Sequence, residues 1–181
     1  MKTIKLLIFA FLLTGIISCK DDQKLSDAYV EPAVSTYYFI RHAEKIRSDS
    51  EDIDPELSQK GLGRAMHWAE ILKDVELHAI YSTDYERTTM TAAPTSVKQE
   101  ITVQYYDASN IDVEQFKMDN LGKNVLVVGH SNSTPEFVNK MLGEEKYGSM
   151  DDYDNGSLFI VQLIGKNITT NRLHFNCNCP D

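Results

Sequence analysis

Cysteine is scarce in this chain, with three in 181 residues, at positions 19, 177 and 179. No cysteine cluster is available to hold a metal, and the histidines lack the helical spacing of zinc hydrolase ligands. The C-x-C pair in "NCNCP" is weak evidence for a metal, and a bridge across one residue is demanding geometry; it reads as tail chemistry. Basic residues are outnumbered, 18 Lys and Arg against 27 Asp and Glu, for a net charge of −9. A surface that acidic argues against non-specific nucleic-acid binding. Any site for an anion must therefore gather its positive charge locally. Long apolar runs are missing as well: the longest, Leu6–Leu13, falls short of the roughly 20 apolar residues that span a bilayer. There is no internal repeat and no low-complexity block.

That one apolar run has a setting. Lys2 and Lys5 precede it and "TGIISC" follows, the order of a secretory signal with small residues near its end. "IISC" resembles the lipobox of bacterial lipoproteins. The resemblance implies cleavage before Cys19, which becomes a lipidated N-terminus anchoring the chain to a membrane. Residues 1–18 are then the signal peptide. Their removal takes two of the 18 basic residues and no acidic one, leaving 16 against 27, a net of −11. Residues 19–34, polar and aperiodic, read as an acidic tether, and "KDD" after the cysteine resembles export tracts to the cell surface. The implied location is the bacterial cell envelope, on the periplasmic face or the cell surface.

From residue 35 the pattern is globular. "TYYFI" (36–40) is a β-rich run. Residues 57–74 show helical spacing, with Leu62, Ala65, Met66, Ala69 and Leu72 apolar and Ser58 as N-cap. Strands are expected over 78–83 and 101–107, and helices over 85–99, where Pro94 should kink or end the helix, and over 111–119. "NVLVVGH" (124–130) is apolar on both faces and hence a central strand. A helix over 134–142 is expected to start with Thr134 as cap and Pro135 at its first position. Residues 156–175 read as a β-hairpin turning at 165–167. Strands alternating with helices predict a three-layer α/β/α sandwich with a mostly parallel sheet and a C-terminal β-hairpin. The domain is expected over 35–176, with 177–181 as a tail.

In a parallel sheet the carboxyl ends of the strands line one edge, where sites form. Those ends read Arg41-His42, then Ser82-Thr83 leading to Arg87, then Asp107, then Gly129-His130-Ser131-Asn132. Two arginines, two histidines and a carboxylate thus converge on one edge of an acidic protein. Guanidinium forks match phosphoryl oxygens bidentately. A neutral imidazole can attack phosphorus and carry the group without a metal. A second, protonated imidazole can stabilise the charge of the transition state, helped by backbone N–H groups near Gly129.

"FIRHAEK", "LSQKG", "YSTDYERTTMTA" and "VLVVGHSNSTPEFV" occur in an order and at spacings that resemble the histidine phosphatase superfamily, the phosphoglycerate-mutase-like proteins in their short form. The resemblance covers roughly 35–175. It implies that His42 is the phosphorylated nucleophile, Arg41 and Arg87 the phosphate-binding arginines and His130 the second pocket histidine, with no cofactor and no metal. The usual glycine after Arg-His is Ala43 here, and "KGLGRA" departs from the common helix opening. The proton donor is open between Asp107 and Glu44. Either would need a raised pKa.

Each residue also has a plainer reading. His42 alone would be a strand-end histidine, Arg87 could pair with Glu86 or Asp84, Asp107 could form a turn, and Glu44 could pair with Lys45. The leading function is hydrolysis of small phosphomonoesters met outside the inner membrane. The alternatives are transfer of the phosphoryl group to another acceptor, as in a mutase, and capture of phosphorylated ligands without turnover.

Overall fold

The computed structural model describes residues 32–179. The expected signal, Cys19 and all but the last three residues of the tether lie outside the described residues. The elements run β1 (Val34–Arg41), α1 (Gln59–Ile71), β2 (Ala79–Ser82), α2 (Glu86–Gln99), β3 (Val103–Tyr105), α3 (Val113–Asp119), β4 (Asn124–Gly129), α4 (Ser133–Leu142), β5 (Ser157–Ile164) and β6 (Asn167–His174). They build one sheet in the order β3-β2-β4-β1-β5-β6. The first four of these are mutually parallel, and β5 and β6 complete it antiparallel as a hairpin.

Alternation along the central strands divides the core in two. Tyr37, Phe39, Val125 and Val127 face α3 and α4, meeting Phe116, Phe137, Val138 and Met141. Ile40, Leu126 and Val128 face α1 and α2, meeting Trp68, Leu72 and Ala92. The two half-cores on opposite faces are the expected three layers. β4 is buried along nearly its whole length, as a strand covered on both sides must be.

Three local expectations need correction. Helix α1 buries Gly61, Arg64, Ala65, Trp68 and Ala69, whereas Leu62 is 39% and Met66 68% exposed. The contact that sets this face is at Gly61, where a Cβ would lie 2.0 Å from the Glu44 carbonyl oxygen. With that turn of α1 against the loop after β1, Trp68 falls into the core, and its burial outweighs that of two peripheral side chains. Ser58 does cap α1, accepting from the Gly61 N–H.

Helix α2 is not ended by Pro94 but continues to Gln99. An interior proline costs about 3 kcal/mol; here the helix is anchored on both sides of it. Ala92 and Thr95 are buried, and Gln99 bonds the Leu77 N–H at 3.1 Å and the Leu72 carbonyl at 2.9 Å. Helix α4 starts at Ser133 after Asn132, not at Thr134. Pro135 is then its third residue, still among the first four N–H positions that lack an intrahelical partner, so nothing is lost there. At the other end of the chain Cys177 and Cys179 form a disulfide, with Cys179 against Gly63 of α1.

Candidate active site

β1 and β4 are adjacent and in parallel register, Arg41 opposite Gly129. Their next residues, His42 and His130, therefore leave the sheet side by side. The imidazole centroids are 5.5 Å apart. Arg41, His42, Arg87, Asp107 and His130 all line one open cavity of about 890 Å³ at this strand edge. The residues expected at the strand ends are brought together. Glu44 is not among them.

Hydrogen bonds to the backbone hold the loop that carries His42. The His42 N–H donates to the Gly129 carbonyl at 2.9 Å, the Ala43 N–H to Thr91 Oγ1 at 2.8 Å, and Asn155 Nδ2 to the His42 carbonyl at 2.8 Å. The side chain is held too. His42 Nδ1 lies 2.7 Å from the Ala43 carbonyl. A carbonyl only accepts, so Nδ1 carries the proton and Nε2 the lone pair.

A hydroxyl relay assigns the other imidazole. Thr88 Oγ1 donates to the carbonyls of Thr83 and Tyr85 and accepts from Thr83 Oγ1 at 3.0 Å. Thr83's only proton is thereby used, and His130 Nε2, 2.9 Å from that oxygen, must be the donor. Any change of charge on His130 occurs at Nδ1. Thr88 and Thr91, both fully buried, show what the "ERTTMTA" run does. Its arginine lines the cavity while its threonines secure the two histidine loops.

The electrostatics follow from burial in a cationic corner. Burial, then the charges of Arg41, His130 and Arg87, lowers the His42 pKa to about 3, although its bond to Ala43 opposes the shift. Burial and the same two arginines lower His130 to about 4, against the opposing pull of Asp54. With these shifts both rings are neutral at neutral pH. Arg87 Nη1 donates to Asp54 at 2.9 Å, not to Glu86 or Asp84, and its guanidinium lies 4.4 Å from the Tyr85 ring centroid. Tyr85 in turn packs edge-on against His130, centroids 5.0 Å apart. Arg41 is 2% exposed. The Nε atoms of Arg41 and Arg87 are buried with no partner among the described residues, which leaves both donors unsatisfied.

The two expected acids part company. Glu44 is held by Arg64, whose Nε donates to both carboxylate oxygens at 2.9 Å; it pairs there, not with Lys45. Asp107 lines the cavity. Its Oδ1 accepts from the Ser109 hydroxyl at 2.6 Å and the Ser109 N–H at 2.9 Å. Those bonds lower its pKa, where a proton donor requires a raised one. Asp84, Glu136 and Asp152 also line the cavity and were not expected. Among the described residues no group of His, Cys, Asp and Glu side chains is arranged to hold a metal ion.

Comparison with known proteins bears on this corner. Residues 37–108 match the model of the histidine phosphatase superfamily, branch 1. The matched segment holds Arg41, His42, Arg87 and Asp107. No curated protein matches the sequence. Solved histidine phosphatase and mutase structures share the fold. The protein histidine phosphatase SixA complexed with tungstate aligns at TM-score 0.61 and 15% identity, over 77% of this chain and 96% of that one. A mycobacterial glucosyl-3-phosphoglycerate phosphatase aligns at 0.59 and 14%, over 80% and 100%. Phosphoglycerate mutase from Bacillus anthracis aligns at 0.58 and 18%, over 79% and 94%.

Proposed function

We propose that the protein is a phosphatase acting through a phosphohistidine on His42. The observation that carries this reading is the pair of neutral imidazoles, 5.5 Å apart, beside two arginines with buried, unpartnered Nε atoms. The phosphoryl dianion enters and takes up those donors. His130 gains a proton at Nδ1 as the dianion offsets the arginine charges that oppose it. The Nε2 lone pair of His42 attacks phosphorus in line as the P–O bond to the leaving group breaks. The leaving oxygen takes a proton from an acid, for which Asp107 is the nearer of the two candidates to the chemistry because it lines the cavity. Water then attacks phosphorus and gives a proton to the carboxylate as the P–N bond to His42 Nε2 breaks, so that orthophosphate leaves and the Nε2 lone pair is restored. Transfer to an acceptor alcohol instead of water would follow the same first half.

One observation favours a second substrate reading. Asp107 is held in its charged form by Ser109, so a leaving group that needs little proton assistance suits the cavity as it stands. A phosphorylated imidazole, the substrate class in the SixA name, is such a group. Phosphate release by the purified protein from alkyl phosphates and from phosphoimidazole, with His42→Ala alongside, tests both readings. Turnover should fall at least about a thousandfold in His42→Ala, as for loss of a covalent nucleophile. Equal turnover by the two proteins would remove the mechanism.

The lipid anchor belongs to the same proposal. Cys19 follows a lipobox-like "IIS", which supports lipidation and an envelope location. Cys19→Ser should then shift the protein from the membrane to the soluble fraction. A mutant that stays in the membrane fraction counts against it.

A further inference from the structure

The loop between α4 and β5 grips the Arg-His pair from across the chain. Arg41 Nη1 donates to the carbonyls of Asp151 at 2.8 Å and Asp154 at 3.4 Å, and Nη2 to Asp152 Oδ1 at 3.0 Å. Asn155, 4% exposed, holds the His42 carbonyl from the same loop. The other oxygen of Asp152 is bound by Arg47 Nη1 at 2.6 Å, and Arg47 Nη2 donates to the Asp152 carbonyl at 3.0 Å. Arg47 further rests over Tyr153, 5.1 Å from its centroid. Arg41 thus has three bonds on its loop side and a buried Nε with none.

A carboxylate beside a phosphate-binding arginine can act in two opposite ways. It can occupy the guanidinium and repel the incoming dianion, or it can orient the fork while its own charge is cancelled elsewhere. The Asp152 bond to Arg41 is not solitary: two backbone carbonyls share the same side of the fork. The second oxygen of Asp152 is engaged by Arg47, which offsets its charge. The Nε of Arg41 has no hydrogen-bond partner among the described residues.

We propose that Asp152 and Arg47 form a positioning pair for Arg41, Asp152 aligning the guanidinium for the phosphoryl group and Arg47 cancelling the carboxylate's repulsion. The proposal rests on the phosphoryl-binding reading of the cavity. It makes Asp152, 111 positions from Arg41, part of the site's construction.

The test measures tungstate binding to the full-length protein by calorimetry, with thermal melts as a check on folding. Asp152→Ala should raise the tungstate Kd about tenfold, the effect of losing one charge-assisted bond that orients the fork. Asp152→Asn keeps an oxygen acceptor and should stay within about threefold of wild type. Arg47→Ala should weaken tungstate binding when Asp152 is present and have little effect on top of Asp152→Asn, where no charge remains to cancel. A merely structural role would not produce that dependence. Unchanged or tighter binding by folded Asp152→Ala would overturn the proposal, tighter binding being the behaviour of a blocking carboxylate. Equal effects of Arg47→Ala in both backgrounds would overturn the role of Arg47. If wild type itself binds no tungstate, the phosphoryl pocket fails first, and this proposal with it.

Discussion

Arginines on two sides of the loop after β1 meet carboxylates in different ways. Behind the loop, Arg64 donates from Nε to both oxygens of Glu44, from Nη2 to Oε1 at 2.7 Å, and from Nη1 to the Phe175 carbonyl at 3.3 Å. In front, Arg41 and Arg87 each reach a carboxylate through one terminal nitrogen, and each keeps a buried Nε with no partner. The first pair is complete within the protein and pins α1 to the loop. The second set is incomplete, and burying donors without partners costs stability unless a ligand supplies them. Saturation, more than burial, separates the two sets, and under the proposed function the unsaturated arginines take the phosphoryl group.

The difference can be broken from either side. Arg87→Ala should lower kcat/KM for a phosphate ester about a hundredfold, as expected when a preorganised donor to the phosphoryl oxygens is removed, with little loss in the melting temperature. Glu44→Ala should do the reverse. Stripping the partner from nearly buried Arg64 should cost about 2–3 kcal/mol in urea unfolding, below the full penalty because Glu44 is 20% exposed. Its turnover should remain within about fivefold of wild type, since Glu44 does not reach the cavity. Loss of turnover in Glu44→Ala, with stability intact, would return Glu44 to the chemistry.

A smaller effect concerns acid. The folded pKa values of His42, about 3, and His130, about 4, lie below the ordinary 6.5. An unfolded chain takes up protons near pH 6.5 that the folded cavity refuses. Stability from these groups is therefore present above pH 6.5 and is lost as pH falls toward 4 and then 3, with a slope of at most about 1.4 kcal/mol per pH unit for each histidine. Urea unfolding at pH 7, 6, 5 and 4 should show it. The double variant His42→Ala with His130→Ala should have a shallower slope, and an identical slope would mean the rings are not buried neutral. Bound tungstate should reduce the loss by favouring protonated His130.

Much of the architecture could be read from the chain. The β-rich run "TYYFI" marked one strand and the double-faced run "NVLVVG" a central one, and Arg41, His42, Arg87 and His130 do meet in one cavity. What misled was local reasoning applied where contacts decide. Leu62 and Met66 fit the helical spacing of α1 as well as Trp68 does, but Gly61 must touch Glu44 and turns them outward. Glu44 stands two residues after His42, and nothing in its neighbours shows that Arg64 claims it. Asp152 and Asp54 lie in acidic loops that look like solvated turns. The "TTMT" run of α2 was the available signal for the relay to His130, because Thr88 and Thr91, three apart on one helix face, need partners for their hydroxyls once buried.

The sequence by itself determined the layers, the strand edge that carries the chemistry, and the two imidazoles and two guanidiniums found there. Each of these depends on alternation or on a strand's last residue, which are properties of neighbours along the chain. Only the tertiary structure decided which nitrogen of His130 holds the proton, which of the two expected acids faces the cavity, and which carboxylate bonds Arg41. Those outcomes depend on partners 47 residues apart for Thr83 and His130, 20 apart for Arg64 and Glu44, and 111 apart for Arg41 and Asp152. A hydrogen bond is made over about 3 Å in space whatever the distance along the chain, so no local pattern records it.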